Sequence, residues 1–257
     1  MQHVIPDLAI ACEPREGFDP TPLNKGMCYH GMGHVLTHLT NAEIDRALAA
    51  CEAVAVKPDS NYRQVCHEGV YMQLFQPLEP EDYALLETLP YQPATENIEQ
   101  FCWDYSYSDE NFATCWREAW PFFREQLDTG AGIESYCAVL PTDQHEADCL
   151  RSSFTINGRL NLGDPSHMAA VCNTTNAANQ GLCFSVGANA YLEESQNLVT
   201  ESLNFCRRAD DQAAEEDCFA YLARFAAYNY HTDSAVYNEL CTALPEPWGT
   251  QCYNPVR

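Results

Sequence analysis

The sequence lacks the features of a protein that binds polyanions or crosses a membrane. Only 13 of its 257 residues are lysine or arginine, against 37 aspartate and glutamate residues. A formal net charge of −24 repels phosphate backbones, so nucleic acid is not an expected partner. No apolar run approaches the roughly 20 residues of a transmembrane segment. The start, MQHVIPDLAIACEP, lacks the basic and apolar regions of a signal peptide, so we expect a mature form.

The common catalytic and cofactor motifs are also missing. His67-Glu68 and His145-Glu146 lack the second histidine of the H-E-x-x-H zinc protease motif. There is no G-x-S-x-G nucleophile elbow and no glycine-rich phosphate loop. C-x-x-C-H is absent as well. We therefore expect neither a nucleotide nor a covalent c-type haem.

What the chain does have is cysteine at a regular spacing. Fourteen cysteines fall into seven consecutive pairs, with none of the C-x-x-C doublets that hold zinc. An even number in such pairs predicts a disulfide framework, hence an oxidising compartment and a secreted or periplasmic protein. From Cys115 onward the second cysteine of each pair recurs about every 34 residues, at Cys149, Cys183, Cys218 and Cys252.

Two disulfide pairings fit this spacing. Joining each cysteine to the next across a short loop uses all fourteen, whereas joining the two ends of each repeat leaves Cys12 and Cys252 unpaired. We favour the short-loop pairing, because an unpaired thiol is a liability in an oxidising compartment. On the chain-entropy model each bridge would contribute roughly 3 kcal/mol.

A fixed period of this size predicts a stacked helix-turn-helix repeat. The last unit reads CFAYLARFAAYNY as helix A, HTDS as a turn and AVYNELC as helix B, and an earlier unit uses CWREAWPFFREQL and GIESYC in the same way. Each helix A is expected to open with a cysteine. The predicted fold is all-α: an α-solenoid of about six to seven repeats in a single domain over residues 1–257, stapled by up to seven disulfides.

Two further features refine this plan. The gap after Cys66 is about 13 residues longer than its siblings, which predicts a surface insertion around 75–97 with a short helix at YALLETL. The residue after the opening cysteine is usually bulky and is expected in the core. These residues are Tyr29, Trp116, Leu150, Phe184, Phe219 and Tyr253.

The period and the cysteine placement resemble the tetratricopeptide and Sel1-like class of α-solenoids, in its cysteine-rich secreted form. The resemblance covers residues from about 12 to 257. It implies a curved rod whose concave face binds a protein, a peptide or a glycan.

One histidine cluster indicates chemistry. His30, His34 and His38 in CYHGMGHVLTH lie four residues apart, which places them on one helix face. Aligning CHEGVYM of the next repeat sets Glu68 against His30 and Met72 against His34. Two imidazoles at i and i+4 are a common metal clamp, and copper or zinc is the favoured ion. The predicted ligands are His30 and His34, completed by one or more of His38, His67, Glu68 and Met72.

Glycines within this cluster suggest that something approaches the helix closely. Gly31 and Gly33 each cost a helix interior about 1 kcal/mol relative to alanine. A neighbouring helix, a metal-bound ligand or a substrate would each account for them.

Three functions fit these observations. The first is a secreted or periplasmic binding or scaffold protein with a metal site in its first two repeats. The second is a metal-dependent extracellular enzyme that uses the same residues with an open coordination position. The third is a structural subunit that assembles end to end through its repeats. The histidines could also simply hydrogen-bond within a terminal cap. Asn173-Thr174-Thr175 is a sequon for N-glycosylation.

Overall fold

Every regular element of the described chain is helical. The computed structural model describes residues 5–55, 61–77 and 79–254, with one isolated bridge, Arg15 to Phe18. The prediction of an all-α fold is confirmed. The α-helices are α1 (Ile5–Ala11), α2 (Pro22–Leu39), α3 (Ile44–Val54), α4 (Tyr62–Phe75), α5 (Pro80–Leu86), α6 (Ile98–Asp104), α7 (Asp109–Glu118), α8 (Gly130–Cys137), α9 (Asp143–Leu160), α10 (Pro165–Thr174), α11 (Ala177–Glu194), α12 (Val199–Cys206), α13 (Gln212–Asn229), α14 (Ala235–Ala243) and α15 (Trp248–Tyr253).

Side-chain caps define where many of these helices begin. A serine or threonine hydroxyl accepts a hydrogen bond from a backbone N–H in the first turn, which satisfies a donor that the helix itself cannot. These capping residues are Thr21, Ser108, Thr129, Thr142 and Ser234.

The described contacts group the chain into two compact units, residues 1–123 and 124–257. In the first unit, α2 packs on α3 and α4, and α4 packs on α7. In the second unit, α11 packs between α9 and α13, and α12 packs on α14. Whether the two units form the single domain expected from the sequence stays a prediction. None of the helices in the described ranges has both the length and the apolar character needed to span a membrane.

Seven disulfides pin the helices together, and they follow the short-loop pairing. Each joins two cysteines whose Cα atoms lie 5.4–5.7 Å apart, and no described cysteine is free. Each of the last six bridges joins the C-terminal part of one helix to the interior of the next. The pairing favoured from the sequence is confirmed. The bonds are Cys12–Cys28, Cys51–Cys66, Cys102–Cys115, Cys137–Cys149, Cys172–Cys183, Cys206–Cys218 and Cys241–Cys252.

The expectation that each helix A opens with its cysteine is wrong. Helix α9 begins at Asp143, a turn and a half before Cys149, and α11 begins at Ala177, well before Cys183. The reason in α9 is the cap: Thr142 fixes the start, and the polar residues after it complete the first turns. The cysteines therefore lie inside the helices.

Helix α7 also ends earlier than CWREAWPFFREQL suggested. It stops at Glu118, and two 3-10 helices follow at Trp120–Phe123 and Gln126–Asp128. Pro121 explains the break, because proline has no N–H to donate and its ring clashes with the preceding turn.

The insertion holds the expected short helix in a shifted position. Helix α5 covers Pro80–Leu86 rather than residues 83–89. Pro80 suits the first helical position, and the Asp82 carboxylate accepts a hydrogen bond from the Glu79 N–H at 3.0 Å.

The bulky residues that follow the second cysteine of each pair are core residues in all but the last case. Tyr253 ends α15 and is 44 % exposed, so its placement in the core was wrong. Its ring hydroxyl instead donates to the Asn238 carbonyl. The buried members are Tyr29, Trp116, Leu150, Phe184 and Phe219.

Two glycines lie at the crossing of α2 and α4 in the first unit. A Cβ added to Gly33 of α2 would lie 2.1 Å from the Cys66 carbonyl oxygen of α4, and one added to Gly69 would lie 2.0 Å from the His30 carbonyl oxygen. Only glycine fits at this distance. The backbone approach predicted at Gly33 is therefore that of a neighbouring helix, whereas Gly31 has open space where its Cβ would be.

We expect Gly33→Ala to destabilise the protein and Gly31→Ala to stabilise it. The first forces α2 and α4 apart, at a cost of about 1–3 kcal/mol. The second adds a methyl group in open space and gains up to about 1 kcal/mol of helix propensity. Urea unfolding of the oxidised protein measures both. Equal effects of the two substitutions would contradict a backbone crossing at Gly33.

Candidate metal site in the first unit

The structure brings two of the predicted ligands together. His30 and His34 lie one turn apart on α2, with their ring centroids 5.1 Å apart and the ring planes nearly perpendicular. Both side chains are half-buried. The two histidines therefore lie on the same face of α2, as the i and i+4 spacing predicted.

A hydrogen bond from the neighbouring helix orients His34. Its Nδ1 lies 2.7 Å from Oε1 of Gln73 on α4, and Gln73 is only 8 % exposed. Because an amide oxygen only accepts, the proton must sit on Nδ1. The lone pair of His34 is then on Nε2, which is the atom that would bind an ion. A metal-binding histidine is typically fixed through its other nitrogen in this way.

His38 contacts the insertion. Its ring is exposed, and Nε2 lies 3.1 Å from Oδ1 of Asp82 on α5. The structure therefore places His38 with a carboxylate of α5, one turn beyond the pair formed by His30 and His34.

His67 is a buried structural residue. It follows Cys66, and the residue that follows the second cysteine is a bulky core residue in five of the other pairs. Its Nε2 donates to the Leu48 carbonyl at 3.3 Å, and its Nδ1 accepts from the Asn111 amide at 3.0 Å. Both ring nitrogens are used within the protein.

Burial lowers the pKa of His67, and the neighbouring charges only partly oppose this. Glu52 and Glu110 favour the charged ring, while Arg63 disfavours it. Glu52 lies 3.6 Å from Nε2. Burial acts to raise the pKa of Glu52, but hydrogen bonds from Arg63 and Tyr107 outweigh it and leave that pKa lowered.

Glu68 pairs with an arginine instead of with the histidines. Its Oε1 lies 2.7 Å from Nη2 of Arg117 on α7, and Arg117 is only 3 % exposed. A buried guanidinium needs such a partner, since an unpaired charge in the interior is very costly. Met72 is half-buried, and it is the adjacent Gln73 that reaches His34.

The six predicted ligands thus separate into a pair and four residues in other settings. Within the described ranges, no group of three or more histidine, cysteine, aspartate or glutamate side chains is placed to hold a metal ion. The arrangement that remains is a two-imidazole clamp on α2, with the Nε2 atom of His34 oriented by Gln73.

Sequence reasoning missed Gln73, Asn111 and Arg117. A signal existed for Arg117, because it stands two residues after its cysteine, as Glu68 does, and carries the opposite charge. No comparable signal marked Gln73 or Asn111, whose amides could as well have faced solvent.

A comparison with protein-family models, curated proteins and solved structures finds no match. The chemistry of this chain has therefore to be inferred from its own residues.

We expect His67 to make stability depend on pH. Unfolded, it binds a proton with a pKa near 6.5, whereas burial lowers the pKa in the folded state. Its contribution is complete above about pH 6.5 and is lost as the pH falls toward the folded value, because the unfolded chain protonates first. Urea unfolding at pH 7.5 and pH 5 measures this loss.

The matched comparison uses His67→Gln and, as a control, His231→Gln at an exposed position. The first should reduce the difference in unfolding free energy between the two pH values, and the second should leave it unchanged. An unaltered difference in His67→Gln would show that other groups cause the pH dependence.

Proposed function

We propose that this chain is an exported, disulfide-stapled helical-repeat binding protein that holds a copper or zinc ion through His30 and His34. The observation that carries the metal site is the hydrogen bond between His34 and Gln73. Gln73 lies on a different helix, and its hydrogen bond fixes the His34 ring beside His30. The Nε2 atom of His34 then keeps its lone pair.

The packing within each unit supports the repeat architecture. Helices that carry the second cysteine of a pair contact the next such helix: α2 with α4 and α4 with α7 in the first unit, and α9 with α11 and α11 with α13 in the second. The bridges that tie each of them to the preceding helix favour an oxidising compartment, hence export.

Two protein ligands leave coordination positions open. Zinc in structural sites takes four ligands, and copper also accepts imidazole nitrogen readily. An ion held only by His30 and His34 would complete its shell with groups from a bound protein, peptide or glycan. In this reading the metal is a point of attachment for a partner, and the net charge of −24 raises the local concentration of cations.

We expect the untagged protein to bind one equivalent of Cu²⁺ or Zn²⁺, and His30→Ala/His34→Ala to bind none. The double substitution removes both imidazoles but touches no disulfide, so the helical circular dichroism should persist. Calorimetric titration with each metal salt measures stoichiometry and affinity.

The control is His167→Ala/His231→Ala, which removes the same number of histidines from the second unit. Retention of one equivalent in this control and its loss in the first variant would support the site. Equal binding by both variants would refute the site. A bound metal that exchanges its water rapidly would favour the alternative of a metal-dependent enzyme.

Removing the Gln73 amide should weaken metal binding without abolishing it. Gln73→Leu frees the His34 ring and its tautomer, which we expect to lower affinity about tenfold at unchanged stoichiometry. Gln76→Leu, three residues further along the chain, is the matched control. If Gln73→Leu binds as the unsubstituted protein does, the hydrogen bond has no role in metal binding.

A further inference from the structure

The second unit carries a separate polar cluster on its three long helices. Asn189 of α11 is only 4 % exposed, yet its Oδ1 has no hydrogen-bond partner among the described residues. Its Nδ2 donates to Oε1 of Glu193 at 2.7 Å. Because a carboxylate only accepts, this bond fixes the amide with Oδ1 as the unsatisfied atom. A buried acceptor without a donor is rare in folded proteins.

Glu193 connects Asn189 to the neighbouring helix. It stands four residues after Asn189, so the two side chains share one face of α11. Its second oxygen, Oε2, accepts from Nη2 of Arg159 on α9 at 2.5 Å. Both oxygens of the carboxylate are thus engaged within the protein.

The same face is bounded by Tyr221 of α13. Burial raises the pKa of Tyr221, and the charges that act on it are those of Arg151, Glu193 and Arg224. Arg151 also donates a hydrogen bond to its hydroxyl. Tyr221 therefore stays protonated at neutral pH and lies within electrostatic reach of α9 and α11.

The charge of this cluster is opposite to that of the protein. Three of the 11 arginines in the sequence belong to this cluster, although the chain as a whole carries −24: Arg159 pairs with Glu193, and the charges of Arg151 and Arg224 act on Tyr221. Arg151 and Arg224 are exposed and retain unused N–H donors. Guanidinium groups bind carboxylates through two parallel hydrogen bonds.

We infer that this cluster, the Asn189 site, binds a small carboxylate that carries a hydroxyl or amino donor on the adjacent carbon. The carboxylate binds Arg151 and Arg224, and the donor completes the unsatisfied Oδ1 of Asn189. Acetate or succinate offers the first interaction but not the second. The site is independent of the proposed metal clamp, since every residue in it belongs to the second unit.

Calorimetric titration of the full oxidised chain with L-malate and with succinate tests the site, because the two acids differ only in one hydroxyl. Malate should bind at least about tenfold more tightly than succinate, because only its hydroxyl can donate a hydrogen bond to the buried Oδ1 of Asn189. L-Aspartate, with an ammonium in place of the hydroxyl, distinguishes an amino ligand from a hydroxy ligand by its affinity relative to malate.

Two variants assign the interactions. Arg151→Gln/Arg224→Gln should weaken malate binding at least about tenfold, because it removes both guanidinium groups. Asn189→Leu should lower the affinity for malate to that for succinate. It should leave the affinity for succinate unchanged. The control is Arg207→Gln/Arg208→Gln, which removes two exposed arginines of the α12–α13 loop and should have no effect.

Three results would overturn the inference. They are equal affinities for malate and succinate in the unsubstituted protein, equal weakening by the two double arginine variants, and no heat of binding for malate or aspartate up to about 10 mM. Should Asn189→Leu fail to fold, the exposed arginine variants and the comparison of the two acids still decide it. None of these results depends on whether His30 and His34 bind a metal.

Discussion

The constraint on which the structure depends is the disulfide that ties the end of one helix to the interior of the next. It fixes where each long helix sits relative to its predecessor and so determines the environment of the residues around the cysteine. The residue after it points into the core, as Tyr29, Phe184 and Phe219 do. The next residue faces the neighbouring long helix, as the ion pair of Glu68 and Arg117 shows.

This register explains why His67 and Glu68 do not join His30 and His34. His67 stands in the core position, so burial and two hydrogen bonds hold its ring inside the protein. Glu68 stands in the position that faces the next long helix, where Arg117 supplies an opposite charge. The ligand prediction assumed that α4 would turn these groups toward α2. The contacts of α4 with α7 determine the orientation of these side chains instead.

Much of the fold could be predicted from the sequence because it depends on covalent and periodic features. The even number of regularly spaced cysteines favoured the pairing that the structure shows, and the period predicted that the segments between them are helical. The helix limits could not be read in the same way, since they depend on local capping at Thr142 and on the break at Pro121. The site was harder still. An amide such as Gln73 becomes a positioning group only when a glycine crossing at Gly33 brings its helix close, and that is a tertiary fact.

Both candidate sites contain a residue at the same distance from the second cysteine of a disulfide pair. His34 is six residues after Cys28, and Asn189 is six residues after Cys183. In each case the side chain is fixed by an amide hydrogen bond, His34 through Gln73 and Asn189 through Glu193, and presents one atom that can still accept a ligand. Residues at this position differ in burial, from the buried Asn189 to the exposed Arg224. The residue type also varies along the chain, since Met72, Pro121, Thr155 and Arg224 stand six residues after Cys66, Cys115, Cys149 and Cys218. Disulfides that fix the register of the helices, with a variable residue six positions after the second cysteine, are a physical basis for placing different binding chemistry on a common helical frame.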